Sequence, residues 1–60
     1  MTIDEQIACV KRELAMRRNV YPKWVQSEKM TQAKAESEIN AMAAVLETLQ
    51  AVRSRRGPTS

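Results

Sequence analysis

The stretch YPKWVQSEKMT, from Tyr21 to Thr31, decides the fold because it separates two segments that each have the periodicity of an α-helix. It contains both aromatic residues of the chain, Tyr21 and Trp24, and one of the two prolines, Pro22. Thr31, at its end, is a residue type that caps the start of a helix. Two helical segments of similar length around a short turn predict an all-α fold, an antiparallel helical hairpin.

The segment before the turn carries an apolar residue every three or four positions, as one face of a helix does. The series is Ile3, Ile7, Val10, Leu14, Tyr21 and Trp24, with Arg17 as the exception. Because this period continues past Pro22, we favour one helix from Ile3 to Gln26 that is kinked at the proline. The alternative is a helix that ends near Asn19 and starts again at Pro22, since the residue before a proline avoids the α region.

After Ser27, Glu28 and Lys29, which we expect to form the turn, Thr31 is the predicted N-cap of a second helix from Gln32 to Ser54. The apolar face of this helix is Ala35, Ile39, Met42, Val45, Leu46, Leu49 and Val52. Gly57 and Pro58 are typical of a helix end. We therefore predict one domain over residues 1–56 and a disordered tail over 57–60.

The second helix is apolar over more than one stripe, because several alanines lie beside its larger apolar residues. A single neighbouring helix cannot cover so wide a face. A domain of 60 residues is also marginal without a disulfide, a metal or a partner, and one cysteine cannot form an internal disulfide. The sequence therefore predicts a homodimer in which two hairpins form a four-helix bundle.

Catalytic and cofactor chemistry is not indicated. The chain has no histidine and a single cysteine, Cys9, and it contains no glycine-rich phosphate loop. Glu36 and Glu38 are two residues apart and so lie on different helix faces. Cys9 lies beside the apolar face of the first helix, where we expect a small buried hydrophobic residue. We predict a protein that is not an enzyme and has no catalytic residues, cofactor or metal.

Surface recognition is the remaining kind of function, and Tyr21 and Trp24 belong to the residue types that dominate protein interfaces. The alternative is that both close the end of the hairpin, and we favour it for these two side chains. The predicted partner or dimer interface is Tyr21, Trp24, Ile39, Met42, Val45, Leu49 and Val52.

Basic residues suggest a second kind of partner. The formal net charge is +3, and the candidates for contact with nucleic-acid phosphates are Lys11, Arg12, Arg17, Arg18, Arg53, Arg55 and Arg56. Against this interpretation, no aromatic residues lie among these charges and no nucleic-acid-binding motif is present. Arg53, Arg55 and Arg56 also complement the dipole at the end of the second helix, as Asp4 and Glu5 do at the start of the first.

The middle of the chain contains a pattern that spans about two-thirds of its length, namely Arg12-Glu13-Leu14, Arg17-Arg18, Val20-Tyr21-Pro22, Trp24-Val25, Lys29-Met30-Thr31, Ala35, Glu38-Ile39 and Met42. In this pattern the chain resembles small uncharacterised proteins of bacteriophages and prophages. Such proteins often carry glycine where this chain has Glu28. The resemblance implies a phage-encoded accessory protein and brings no catalytic residue with it.

The expected function is that of a protein–protein interaction module that binds a host protein and modulates it by inhibition. The alternative is an accessory nucleic-acid-binding protein in phage replication or recombination, and a virion component ranks third. Residues Met1–Glu5 are acidic and lack an apolar run, so we expect no signal peptide. No apolar run reaches the about 20 residues of a membrane span, so we expect a location in the cytoplasm of the bacterial host and no membrane partner.

Overall fold

Two α-helices make up the fold in a computed structural model, which describes residues 1–55 of the chain. Helix α1 is Ile3–Gln26 and helix α2 is Gln32–Arg55, and the two pack side by side. The predicted all-α helical hairpin is thereby confirmed, and α2 ends one residue later than expected. Arg56 and the predicted tail, 57–60, lie outside the described residues.

Helix α1 begins at a capping box, which the sequence analysis missed. The backbone N–H of Thr2 donates to Oε1 of Glu5 at 2.8 Å, and the backbone N–H of Glu5 donates to Oγ1 of Thr2 at 3.1 Å. The bond from the Thr2 backbone N–H, helped by the Thr2 hydroxyl, holds the pKa of the Glu5 carboxyl below its ordinary value. A carboxyl whose pKa is lower in the folded chain adds stability at neutral pH, and this contribution is lost as the pH falls through that pKa.

Pro22 lies inside α1, and the helix continues through it. The alternative of a helix that ends near Asn19 and restarts at Pro22 is therefore wrong, whereas the kink itself stays a prediction. A proline inside a helix removes one backbone hydrogen bond and costs about 3 kcal/mol. Tyr21 is buried immediately before it and Val25 is half-buried after it. Packing on both sides of Pro22 thus supplies the stabilisation that keeps the helix intact.

The end of α1 is a Schellman motif. The N–H of Glu28 donates to the carbonyl of Val25 at 3.1 Å, and the N–H of Lys29 donates to the carbonyl of Trp24 at 2.8 Å. This geometry places Glu28 in the left-handed region, with φ of 61°. Glycine is the residue that adopts this conformation without strain.

Helix α2 begins as the sequence predicts. The hydroxyl of Thr31 accepts a hydrogen bond from the backbone N–H of Lys34 at 3.1 Å, which is the geometry of an N-cap. The carbonyl of Thr31 also accepts the bond from the N–H of Ala35 at 3.0 Å. The turn between the helices is thus fixed at both ends, by the Schellman motif and by this cap.

The core is small for the length of the helices. Ile7, Leu14 and Tyr21 are the buried residues of α1, spaced by seven, and Ala35 is the buried residue of α2. The molecule measures 47 × 16 × 14 Å and has a radius of gyration of 14.2 Å, against about 10 Å for a compact chain of this length. An elongated pair of helices therefore leaves much of its apolar surface in contact with water.

Truncation of Leu14 tests where the core lies. Because Leu14 is 5% exposed, Leu14→Ala should lower the free energy of unfolding by about 2–5 kcal/mol. The same change at the half-buried Leu46 is the matched control and should cost less. Urea unfolding followed by circular dichroism measures both, and an equal loss at the two positions would contradict the described core.

Substitution of Glu28 tests the strain in the turn. Glu28→Gly should raise the free energy of unfolding by about 0.5–1 kcal/mol, because relief of the left-handed conformation outweighs the added entropy of the unfolded chain. Glu28→Ala removes the same carboxylate but keeps Cβ, so it should give no such gain. Thermal unfolding of the three proteins distinguishes the effect of φ from that of charge.

Candidate interaction surface

The residues predicted as an interface differ in how far the hairpin covers them. Tyr21 is buried, whereas Trp24 is 40% exposed and Val45 is 45% exposed. The remaining members are half-buried between the helices, namely Ile39, Met42, Leu49 and Val52. Trp24 and Val45 are thus the members that a partner could reach most directly.

An aromatic pair marks the turn end of the hairpin. The rings of Tyr21 and Trp24 are stacked, with centroids 5.4 Å apart and planes at 27°. The guanidinium carbon of Arg17 lies 5.9 Å from the centroid of the Tyr21 ring, within the range of a cation–π contact. Trp24 is therefore held from below by a buried ring, while much of its own surface faces solvent.

Arg17 joins the two helices. Its Nε donates to Oε1 of Glu13, one turn earlier, at 3.0 Å, and its Nη1 donates to the backbone carbonyl of Glu38 on α2 at 2.8 Å. The carboxylate of Glu38 lies 3.7 Å from the same Nη1, and Nζ of Lys34 lies 3.6 Å from its other oxygen. The hydrogen bond to Glu13 raises the pKa of Arg17, so the guanidinium stays charged. Arg17, the exception in the apolar series of α1, is thus a residue that connects the two helices.

The contact between Arg17 and Glu38 also shows which residues lie on one side of the hairpin. Positions three or four residues apart follow one line along a helix. The line through Arg17 and the line through Glu38 border the same side, which we call the Val45 face. Its residues are Val10, Glu13, Arg17, Val20 and, at the turn end, Trp24 of α1 and Glu38, Ala41, Val45, Thr48 and Val52 of α2.

The predicted phosphate contacts do not form one cluster. Lys11, Arg12, Arg18 and Arg55 are exposed, and no salt bridge within residues 1–55 engages them. The side chain of Arg17 is only 16% exposed and serves the contact between the helices. Arg53 pairs with Asp4 at 3.0 Å across the open end of the hairpin. This exposed pair adds about 0–1 kcal/mol, and Arg56 lies outside the described residues.

Two further features of residues 1–55 are an open hollow at the turn and an exposed cysteine. An open hollow of about 700 Å³ lies at the turn, but most of its lining, including Lys29 and Lys34, is exposed to solvent. Within this range no group of three or more metal-binding side chains comes together. Cys9 is exposed, so the prediction of a buried thiol is wrong. Two residues turn a helix by about 200°, which places Cys9 opposite the buried Ile7.

The fold and this surface define an all-α helical hairpin with a partly uncovered apolar side. Comparison with protein-family models, with curated proteins and with solved structures gives no match. In the part of the chain that the structure describes, neither helix is long and apolar enough to cross a membrane.

Replacement of Arg17 tests its role between the helices. Arg17→Ala should lower the melting temperature, because it removes the bonds to Glu13 and to the Glu38 carbonyl together with the contact on Tyr21. Arg17→Lys should recover only part of the loss, since the three donors of an ammonium share one nitrogen, whereas Arg17 uses the separate Nε and Nη1 of its planar guanidinium for the two bonds. The control, Arg18→Ala, removes an exposed arginine and should leave the melting temperature nearly unchanged. Equal melting temperatures for Arg17→Ala and Arg18→Ala would contradict this role.

Proposed function

We propose that this chain is a non-enzymatic, phage-encoded accessory protein that binds a host protein and modulates it, by inhibition. The observation that carries the proposal is the exposed Trp24, stacked on the buried Tyr21 at the turn end of the hairpin. Tryptophan, tyrosine and arginine are enriched among the residues that dominate binding energy. A rigid, partly exposed tryptophan loses little conformational entropy when a partner covers it.

The resemblance to small phage proteins supports the origin and the setting of this proposal. A phage-encoded accessory protein acts in the cytoplasm of the bacterial host, and host proteins are the partners at hand. The resemblance brings no activity with it, so binding rather than catalysis is the function we assign.

Assembly is a second part of the proposal. Helix α2 buries Ala35 alone, while its larger apolar residues are half-buried or, like Val45, exposed. Two hairpins that associate into a four-helix bundle would cover these side chains. In this arrangement α1 is kinked at Pro22, since a proline inside a helix bends it.

The alternative is an accessory nucleic-acid-binding protein in phage replication or recombination. The observation in its favour is that Lys11, Arg12 and Arg18 are exposed and free of salt bridges within residues 1–55. For each phosphate that such a residue neutralises, the affinity for nucleic acid falls more steeply as the salt concentration rises. Lys11 and Arg18 are seven residues apart and share one side of α1, whereas Arg12 points elsewhere.

Affinity capture from a bacterial lysate, with and without nuclease, tests the two functions. We expect one host protein to be recovered equally in both conditions, and Trp24→Ala to lose it while remaining helical. Met16→Ala is the matched control: Met16 is 43% exposed, close to the 40% of Trp24, but lies outside the aromatic pair. Recovery that disappears with nuclease would favour the alternative, and capture that survives Trp24→Ala would contradict the assigned contact.

A further inference from the structure

Val45 is the most exposed of the larger apolar residues of the hairpin's two packed helices, at 45%. It lies near the middle of α2, between the half-buried Met42 and Leu49. One turn away on either side along the Val45 face are Ala41 and Thr48. Their small side chains let another helix approach to the about 8–10 Å at which helices pack.

The charges of the Val45 face are already paired. Glu13 and Glu38 both contact Arg17, and Lys34 contacts Glu38. A buried charge without a partner would oppose association, whereas a charge that is paired and hydrogen-bonded opposes it less. The face therefore presents apolar side chains together with an ion-pair network that needs nothing from a partner.

The exposed basic residues in the middle of α1 lie on other sides of the hairpin. Successive residues of a helix are about 100° apart, so Arg18 lies on the other side of the buried seam from Arg17. Lys11, seven residues before Arg18, lies on the same side of α1 as Arg18. Arg12 points away from the contact between the two helices. Two copies that met through their Val45 faces would therefore keep these positive charges in solvent and apart from one another.

The size of the face also fits a second copy of the chain. The long and middle dimensions of the hairpin, 47 and 16 Å, give one side an area of roughly 750 Å². A stable protein–protein interface buries about 800 Å² on each partner. One side of the hairpin is thus of the size that such an interface takes, and the Val45 face is the side whose charges permit burial.

We propose that the Val45 face packs against the same face of a second copy, about a twofold axis that passes close to Val45. Twofold dimers are the commonest assemblies, and residues near their axis contact their own counterparts. Because Val45 lies near the middle of α2, an axis at this position lets the two elongated hairpins overlap over the greatest part of their length. The inference rests on the assembly part of the proposed function and deepens it, because it specifies which face forms the dimer.

Charge substitutions at Val45 test the self-contact. Val45→Glu and Val45→Lys each place two like charges together at the axis, so each should weaken the dimer by more than about 100-fold. An equimolar mixture of the two variants places opposite charges there and should restore a dimer with one chain of each kind. Ala44→Glu adds the same charge one residue away, on the exposed side of α2, and should remain a dimer. Sedimentation at micromolar concentration measures the mass, and circular dichroism measures the helicity.

Every outcome of the sedimentation experiment either supports the self-contact at Val45 or overturns it. A monomeric wild-type chain, an assembly larger than a dimer, or a Val45→Glu variant that remains a dimer would overturn the proposal. So would two monomeric variants that fail to pair when mixed. If the single variants lose their helices because folding depends on association, the mixture should regain both helicity and dimer mass, and failure to regain them would also overturn it.

The result is separable from the test of host binding. Sedimentation of the purified chain needs no host protein, so a wrong assignment of the face leaves the capture experiment unaffected. Conversely, a chain that captures no host protein still dimerises through Val45 if the self-contact is correct.

Discussion

The hydrogen bond from Arg17 to the Glu38 carbonyl fixes how the two helices lie against each other, and the rest of the structure depends on that register. Apolar contacts are not directional and would tolerate a slip of one turn, whereas this bond, at 2.8 Å, is directional. The salt bridge between Asp4 and Arg53 at the open end is consistent with the same register. Asp4 is thirteen residues before Arg17, and Arg53 is fifteen residues after Glu38. The helices therefore run side by side at nearly equal rise over their whole length.

This register changes how the positive charge of the chain is to be interpreted. Arg17 is engaged between the helices, and Arg53 has an acidic neighbour at the open end. The exposed basic residues that remain in the described chain, such as Lys11 and Arg18, are distributed along a molecule 47 Å long. Phosphate binding gains from several charges that act together on one stretch of backbone. The formal charge of +3 thus overstates the support for nucleic-acid binding.

Local chemistry made the helices predictable. The period of three and four gave α1 its bounds in advance, and the cap at Thr31 followed from residue type alone. The capping box at Thr2 and Glu5 was equally legible, because a threonine followed three residues later by a glutamate is its sequence pattern. The predicted burial of Cys9 was wrong because a residue that lies close to the apolar series in sequence was treated as part of the apolar face of the helix.

The remaining features depend on what lies opposite a residue. Arg17 interrupts an apolar series, and only the position of Glu38 on the other helix explains why it is there. Periodicity likewise showed that Ile39, Met42 and Leu49 share a face, but not that a single neighbouring helix would leave them half-buried. Coverage depends on the surface available across the contact, and a two-helix hairpin has little of it.

Incomplete coverage connects the fold with the proposed function. With four buried residues in its core, the hairpin gains little from burial at about 25 cal/mol per Å² of apolar surface. In the proposed dimer, association through the Val45 face would add the burial that the single hairpin lacks, and folding and assembly would then be linked by mass action. Trp24 lies at the turn end, about 20 Å along the helices from the level of Val45, at the rim of such a contact rather than at its centre. In the proposed dimer the middle of α2 would form the contact between the two copies, and the tryptophan near each turn end would let the dimer bind a partner twice.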